Sequence, residues 1–304
     1  MTDAIAGAVW FALNGSAVAA AWRLVRRAWP DDSLPQAAMH SLVMLWSAIV
    51  VVCLLLGGLG VLTPTNMGAL MLLLSALVHC LGVRQSIVPS RGRAATFLDA
   101  CRSGQETQMA APQQNEGIKN EGINRRTRRR WLPCILWVAM FAVAGGMVTQ
   151  RLLEFPKYWD DLMYHLPFVD HWLQDRSIFA PATSEWTNAC NAEILGLWSV
   201  APFTGDFWIG LANAPVVALL ALGMVELGRQ IGLSAPMRHA AAIAALATNV
   251  VLVQLTDLEN DTAVAALFVA GLAYGLRYSR FRRTADLALC ACALGLLPGV
   301  KYYA

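Results

Sequence analysis

Two adjacent carboxylates, Asp160 and Asp161, open the stretch Trp159-Asp160-Asp161-Leu162-Met163-Tyr164-His165-Leu166-Pro167, directly after a segment apolar enough to cross a membrane. Carboxylates at such a boundary are costly unless they serve chemistry or bind a cation. Set within hydrogen-bond reach of an acceptor hydroxyl, one of them can take the proton as attack develops. Tyr164 and His165 stand close by. A second acidic run, Asp257-Leu258-Glu259-Asn260-Asp261, and a basic turn, Gly299-Val300-Lys301-Tyr302, lie further along.

The elements that must position these residues are membrane spans. Of the 304 residues 57% are hydrophobic and 14% charged, a balance foreign to a soluble domain of this size. A span needs about 20 mostly apolar residues. About eight stretches of roughly that length follow one another, near 4–22, 39–62, 66–83, 131–150, 206–227, 239–255, 261–276 and 285–300. The sixth and seventh, separated by a few polar residues, predict a tight helical hairpin. The fold class is therefore all-α, a polytopic helix bundle.

Basic residues in short loops stay in the cytoplasm, which sets the orientation. Arg23, Arg26 and Arg27 follow the first span, ten basic residues fall in 84–130, Arg229 and Arg238 flank the loop after the fifth span, and Arg277, Arg280, Arg282 and Arg283 follow the seventh. All four groups share one side if every stretch crosses once. The loop 151–205, with seven acidic and three basic residues, then faces the opposite side. The formal charge of +3 is thus topological and carries no expectation of nucleic-acid binding. The first span lacks the features of a cleaved signal peptide and is read as retained. Cys190 alone among the cysteines falls outside, and no cysteine–histidine metal spacing is present.

Residues 1–83 read as an N-terminal three-span segment, 84–130 as a basic, disordered linker whose arginines serve topology or touch anionic lipid headgroups, and 131–304 as the core carrying the motifs. Within the long external loop, Pro167 to Asp175 places Phe168, Val169, Trp172 and Leu173 on one apolar face, which predicts an interfacial helix lying on the membrane. Asn191 to Val200 predicts a second short helix exposing Asn191 and Glu193.

The stretch from Trp159 to Pro167 followed by Val169 to Trp172 resembles the first external loop of GT-C fold integral-membrane glycosyltransferases, closest to the dolichyl-phosphate-mannose mannosyltransferase-like superfamily. Gln254 to Asp261 is similar to that family's second external loop, and Gly299-Val300-Lys301-Tyr302 resembles its Gly-x-Lys-Tyr turn. The resemblance covers about residues 131–304. It implies inverting transfer of a sugar from a polyprenyl-phosphate donor to a lipid, glycan or protein acceptor, on the noncytoplasmic face of what would be a bacterial inner membrane. Asp160 aligns with the family's base. Asp161 serves either catalysis or the capping of the next segment, and the pair departs from members with Asp-Glu. Tyr164, His165, Glu193, Asp261 and Lys301 are the substrate-binding candidates. Lys301 would meet the leaving phosphate, with Arg151 and Lys157 as further cations and Trp186 and Trp198 as sugar-stacking rings. No cofactor is implied with certainty, although a divalent cation is a candidate, since hard cations take oxygen ligands.

Family members continue through further spans, so the resemblance implies the N-terminal part of such an enzyme, and a 304-residue chain alone is expected to lack transfer. Two other classes compete. A transporter or flippase would bury charge inside spans, which here are almost free of it apart from Glu226 near an end. A noncatalytic membrane scaffold is the third.

Overall fold

A computed structural model describes residues 3–85, 119–153, 158–179, 190–203 and 205–301 of the chain. It is a helical bundle, with no strand among the described residues. Five helical segments are long and apolar enough to cross a membrane: Ala4–Ala28, Leu34–Gly58, Pro133–Leu153, Ile209–Gln230 and Asp261–Phe281. Pro64–Cys80 and Thr284–Gly299 are shorter and apolar. Large apolar side chains face outward on these helices, among them Leu55, Leu73 and Phe141, the last 70% exposed. A stripe of that kind on an outer face suits hydrocarbon rather than water.

In chain order the helices are α1 (Asp3–Ala28), α2 (Leu34–Gly58), α3 (Pro64–Gln85), α4 (Lys119–Leu153), α5 (Leu166–Asp175), α6 (Glu193–Val200), α7 (Ala214–Gln230), α8 (Ala235–Leu246), α9 (Asn249–Gln254), α10 (Asp261–Phe281) and α11 (Thr284–Leu296). A continuous core joins α1, α2, α5, α6, α7, α10 and α11 through Trp10, Met39, Trp172, Trp198, Leu219, Leu267 and Leu289. Small residues allow the closest approaches. Gly223 of α7 faces Val269 and Ala270 of α10, and a Cβ at Gly271 would stand 2.5 Å from Leu294 of α11.

Four predicted features differ. Residues 239–255 do not form one span, because the chain breaks at Ala247–Thr248 between α8 and α9. The expected hairpin with α10 is also absent, since α8 packs on α7 while α10 lies between α7 and α11. Residues 119–130, assigned by sequence to the linker, continue into α4, whose interior Pro133 removes one helical hydrogen bond. The rest of that linker, 86–118, lies outside the described residues. Finally, Phe168, Val169 and Trp172 of α5 are buried against protein rather than laid on a membrane surface. The backbone carbonyl of Arg176, just past that helix, accepts from Leu62 N–H at 3.0 Å, tying α5 to the end of α2.

Candidate functional site

The Trp159–Pro167 motif is helical, where a polar loop was predicted. Helical turns begin at Trp159, and Asp161–His165 forms one widened turn with a π-type hydrogen bond from Leu166 N–H to Asp161 C=O. Such bulges recur where a helix must aim side chains at a function. In a helix, successive side chains diverge by about 100°, so the adjacent carboxylates part company. Asp161 is 1% exposed, whereas Asp160 remains half-buried. Tyr164, one turn on, shares a hydrogen bond with Asp160, and burial together with that carboxylate pushes the phenol's pKa well up, keeping it a donor.

Beneath them lies a buried acidic cluster. His165 Nδ1 bonds Glu193 Oε1 at 2.6 Å, both residues being 2% exposed. Glu193 was predicted to be exposed. It is instead turned inward at the first turn of α6, and its Oε2 is buried without a hydrogen-bond partner. Burial disfavours the imidazolium of His165, but the Glu193 bond and the charges of Asp161 and Asp160 outweigh it and raise the pKa. Asp161 Oδ1 accepts from Leu258 N–H at 3.0 Å. Burial raises the Asp161 pKa, and that backbone bond with nearby His165 and Arg151 only partly offsets it. Asp257, also 1% exposed, is pushed up to about 8 by burial and then by Asp161 and Glu259. Its Oδ2 has no partner.

The second acidic run is held by an amide that the sequence did not advertise. Buried Asn213 Nδ2, at the start of α7, points at the carbonyls of Gln254, Asp257 and Glu259, at 2.9, 2.8 and 2.9 Å. Gln254 Oε1 accepts from Thr262 N–H at 2.7 Å, serving as the cap of α10, while its Nε2 donates to Glu259 and Asp261. Arg151, in the last turn of α4, donates from Nε to Thr256 C=O at 2.8 Å. The Gly299–Lys301 turn arrives alongside. Asn191 N–H donates to Gly299 C=O at 2.6 Å, and Asn260 Nδ2 reaches Val300 C=O at 3.4 Å and Glu193 Oε1 at 3.5 Å. Lys301 Nζ is ion-paired with Asp261.

All seven predicted site residues therefore fall in one neighbourhood, linked from Asp160 through Tyr164, His165 and Glu193 to Asn260, Lys301 and Asp261. Lys157 and Trp186 lie outside the described residues. Trp198 faces away, packing against Trp10 in a tilted ring pair at 4.6 Å and donating to Asn14 at 2.9 Å. Among the described residues, no three His, Cys, Asp or Glu side chains are placed to hold a metal ion together.

Two further features lie elsewhere on the bundle. Helix α4 meets its neighbours through Trp137, near its middle, with His239 at 3.2 Å, and through Arg151, in its last turn, with Thr256. Between these contacts runs an apolar groove of about 440 Å³, lined by Met140, Phe141, Val217, Leu222, Val251 and Leu255 among others. At the opposite end of α10, about 24 Å away by helical rise, Arg277 is 1% exposed. It binds Asp32 at 2.6 Å, Glu226 at 3.3 Å and Asp286 at 3.1 Å. By sequence alone Arg277 counts among the topological charges. It is the centre of a buried network because α1, α2, α7 and α11 each bring a polar group to it or to its partners.

Comparison with protein-family models, with curated proteins and with solved structures finds no match to the chain.

Proposed function

We propose that this protein is a membrane glycosyltransferase that moves a sugar from a polyprenyl-phosphate donor to an acceptor hydroxyl, with Asp160 as general base. The observation that carries this reading is the convergence of chemistry-bearing residues from four separated segments, 159–165, 193, 257–261 and 301, at one end of a helical bundle. Within that group Asp160 is half-buried and shares a hydrogen bond with Tyr164 that orients it, and it stands in the motif that carries the family resemblance.

In this reading the acceptor oxygen attacks the anomeric carbon as its proton passes to Asp160. The bond from that carbon to the phosphate oxygen breaks, and the lipid phosphate leaves with the electron pair. One displacement inverts the centre, so a single base suffices, unlike the paired carboxylates of a retaining hydrolase. Arg151 stands where positive charge would help the departing phosphate, and Lys301 reaches the same region through Asp261. The apolar groove beside α4 supports a donor with a hydrocarbon chain, because its lining is almost wholly apolar apart from the Trp137–His239 pair and its Val251–Leu255 side leads into the acidic loop. By the distribution of arginines the site faces the noncytoplasmic side.

Transport of a proton or cation is the second reading, and its support is the charge buried between helices around Arg277. Those carboxylates are already engaged by Arg277, Arg229 and Arg283, which suits a clamp better than a path.

The test is sugar transfer in membranes containing the intact protein, supplied with a panel of polyprenyl-phosphate sugars. Transfer by the parent that is lost in Asp160→Asn, with insertion and expression matched, supports the assignment. Unchanged transfer removes Asp160 from the role. A parent silent across the panel, in membranes where its insertion is verified, counts against the transferase reading itself.

A further inference from the structure

Three carboxylates and one imidazole are buried together where the first and second external loops meet. Asp161, Asp257 and Glu193 are each no more than 2% exposed, as is His165. Fully ionised, they would carry a net charge of −2 in a site nearly closed to water, with Asp160, Glu259 and Asp261 adding negative charge around them. Arg151 on α4 and Lys301 in the final turn are the facing cations, the latter already paired with Asp261. Tyr164 and Cys190 also face the cluster and remain neutral, their pKa values raised by burial first. Such a concentration of like charge is relieved by binding a proton.

The hydrogen bonds show where that proton matters. Asp161 Oδ1 receives Leu258 N–H, so this carboxylate fastens the second loop to the π turn. Asp257, the residue immediately before Leu258, uses Oδ1 to accept Glu259 N–H at 3.1 Å, while Oδ2 is buried and unpartnered. A negative charge on that orphan oxygen would repel Asp161 across the very bond that holds the loop. A neutral carboxyl there would not.

We propose that Asp161 and Asp257 together carry a single negative charge when the loops are closed, and that the proton held on Asp257 latches the second external loop over the site. Asp161 is then a positioning residue acting through Leu258. Loss of the proton drives the residues around Asp257 outward, away from Asp161, so closure is coupled to the pH of the compartment the site faces. The sign follows from linkage. Asp257 has a raised pKa when closed, about 8, and the ordinary carboxylate value near 3.8 when exposed by opening. Closure is strongest at acid pH, weakens as pH rises between those two values, and changes no further above the upper one. The raised pKa of His165 acts in the same direction, since the imidazolium that offsets the cluster is lost on the alkaline side.

The latch belongs to the site proposed above, but its readout is amide exchange rather than transfer, so either reading can fail without the other. Hydrogen exchange of the intact protein in lipid nanodiscs is measured between pH 5.5 and 8.5, corrected for the intrinsic pH dependence of exchange, with α7 and α10 as internal standards of folding. Protection of the segment carrying Leu258 is expected to fall at least about tenfold across this range in the parent, since each pH unit within the window contributes up to a factor of about ten. Asp257→Asn, a neutral isostere of the protonated residue, is expected to hold protection at pH 8.5 within about threefold of its value at pH 5.5, the residue of the effect being that of His165. Glu259→Gln should still lose protection as pH rises, with its transition moved to lower pH than the parent's, because one of the charges that raises Asp257 is gone. Constant protection in the parent would overturn the proposal, as would an Asp257→Asn protein that opens like the parent or never closes while α7 and α10 stay protected. If Asp257→Asn does not fold, Asp161→Asn decides. Its amide oxygen can still receive Leu258 N–H, so a flattened pH response supports the latch and a parental response sinks it.

Discussion

Helical rotation of about 100° per residue gives Asp160 and Asp161 different work. Asp160→Asn is expected to lower transfer by about 10²- to 10⁴-fold, the usual worth of a positioned base, while leaving the unfolding temperature in detergent unchanged. Asp161→Ala should do the converse first. It strands Leu258 N–H in a buried site, at a cost of about 1–3 kcal/mol, visible as a lower unfolding temperature. The His165–Glu193 pair yields a pH prediction. Because the His165 pKa is raised in the folded site, its charged form stabilises the protein fully below its ordinary value of 6.5, and that contribution is lost as pH rises through the raised value. Glu193→Gln should move the imidazole titration to lower pH in nitrogen-resolved NMR of the ring and flatten the loss of stability above pH 6.5. An unmoved titration would show that Glu193 does not hold the charge on His165.

At the scale of elements, the site depends on how the Gln254–Asp261 connection is suspended between α9 and α10. One amide, Asn213 Nδ2, lies within 3 Å of three of its carbonyls. Asn213→Ala should cost about 1–3 kcal/mol and loosen this loop selectively, read as faster exchange of its amides with α7 unchanged. The closing turn is similarly constrained, for a Cβ at Gly299 would fall 2.0 Å from Asn191 Nδ2. Five of the eight expected spans were legible as helices of spanning length because hydropathy alone marks long apolar runs, and the acidic motifs were legible because adjacent carboxylates stand out in so apolar a chain. The break between α8 and α9 was not, since Ala247-Thr248-Asn249 sits inside an apolar stretch without Gly or Pro to interrupt it. Nor was the inward turn of Glu193, which requires His165 as a partner 28 residues earlier. Asn213 gave no signal, as an amide beside a span start reads as an ordinary helix end until the carbonyls it serves are in place.

For the whole molecule, the network around Arg277 decides whether the N-terminal helices and the motif-bearing core are one body. Asp32, between α1 and α2, binds Arg277 of α10 at 2.6 Å and His40 of α2 at 3.0 Å, and Trp29 Nε1 donates to Asp286 at 2.9 Å. Gln36 reaches Glu226 of α7 at 3.2 Å, and Tyr274 OH bonds His40 at 2.9 Å. Three carboxylates against Arg277, Arg229 and Arg283 balance in charge, so the cluster tolerates burial only while complete. Arg277→Met removes the central cation and leaves Asp32, Glu226 and Asp286 confronting one another, at an expected cost of about 3–5 kcal/mol. Neutralising those three acids in the same variant should recover most of that loss, because the penalty comes from stranded charge rather than from missing attraction. A protease site placed within 86–118 gives the direct reading. After cleavage, the two pieces should copurify in mild detergent from the parent and from the fully neutralised variant, and separate in Arg277→Met. Separation of the parent pieces would show that the apolar packing and this network together do not hold the N-terminal helices to the core, and the site at the other end of α10 would then have to be explained by the core alone.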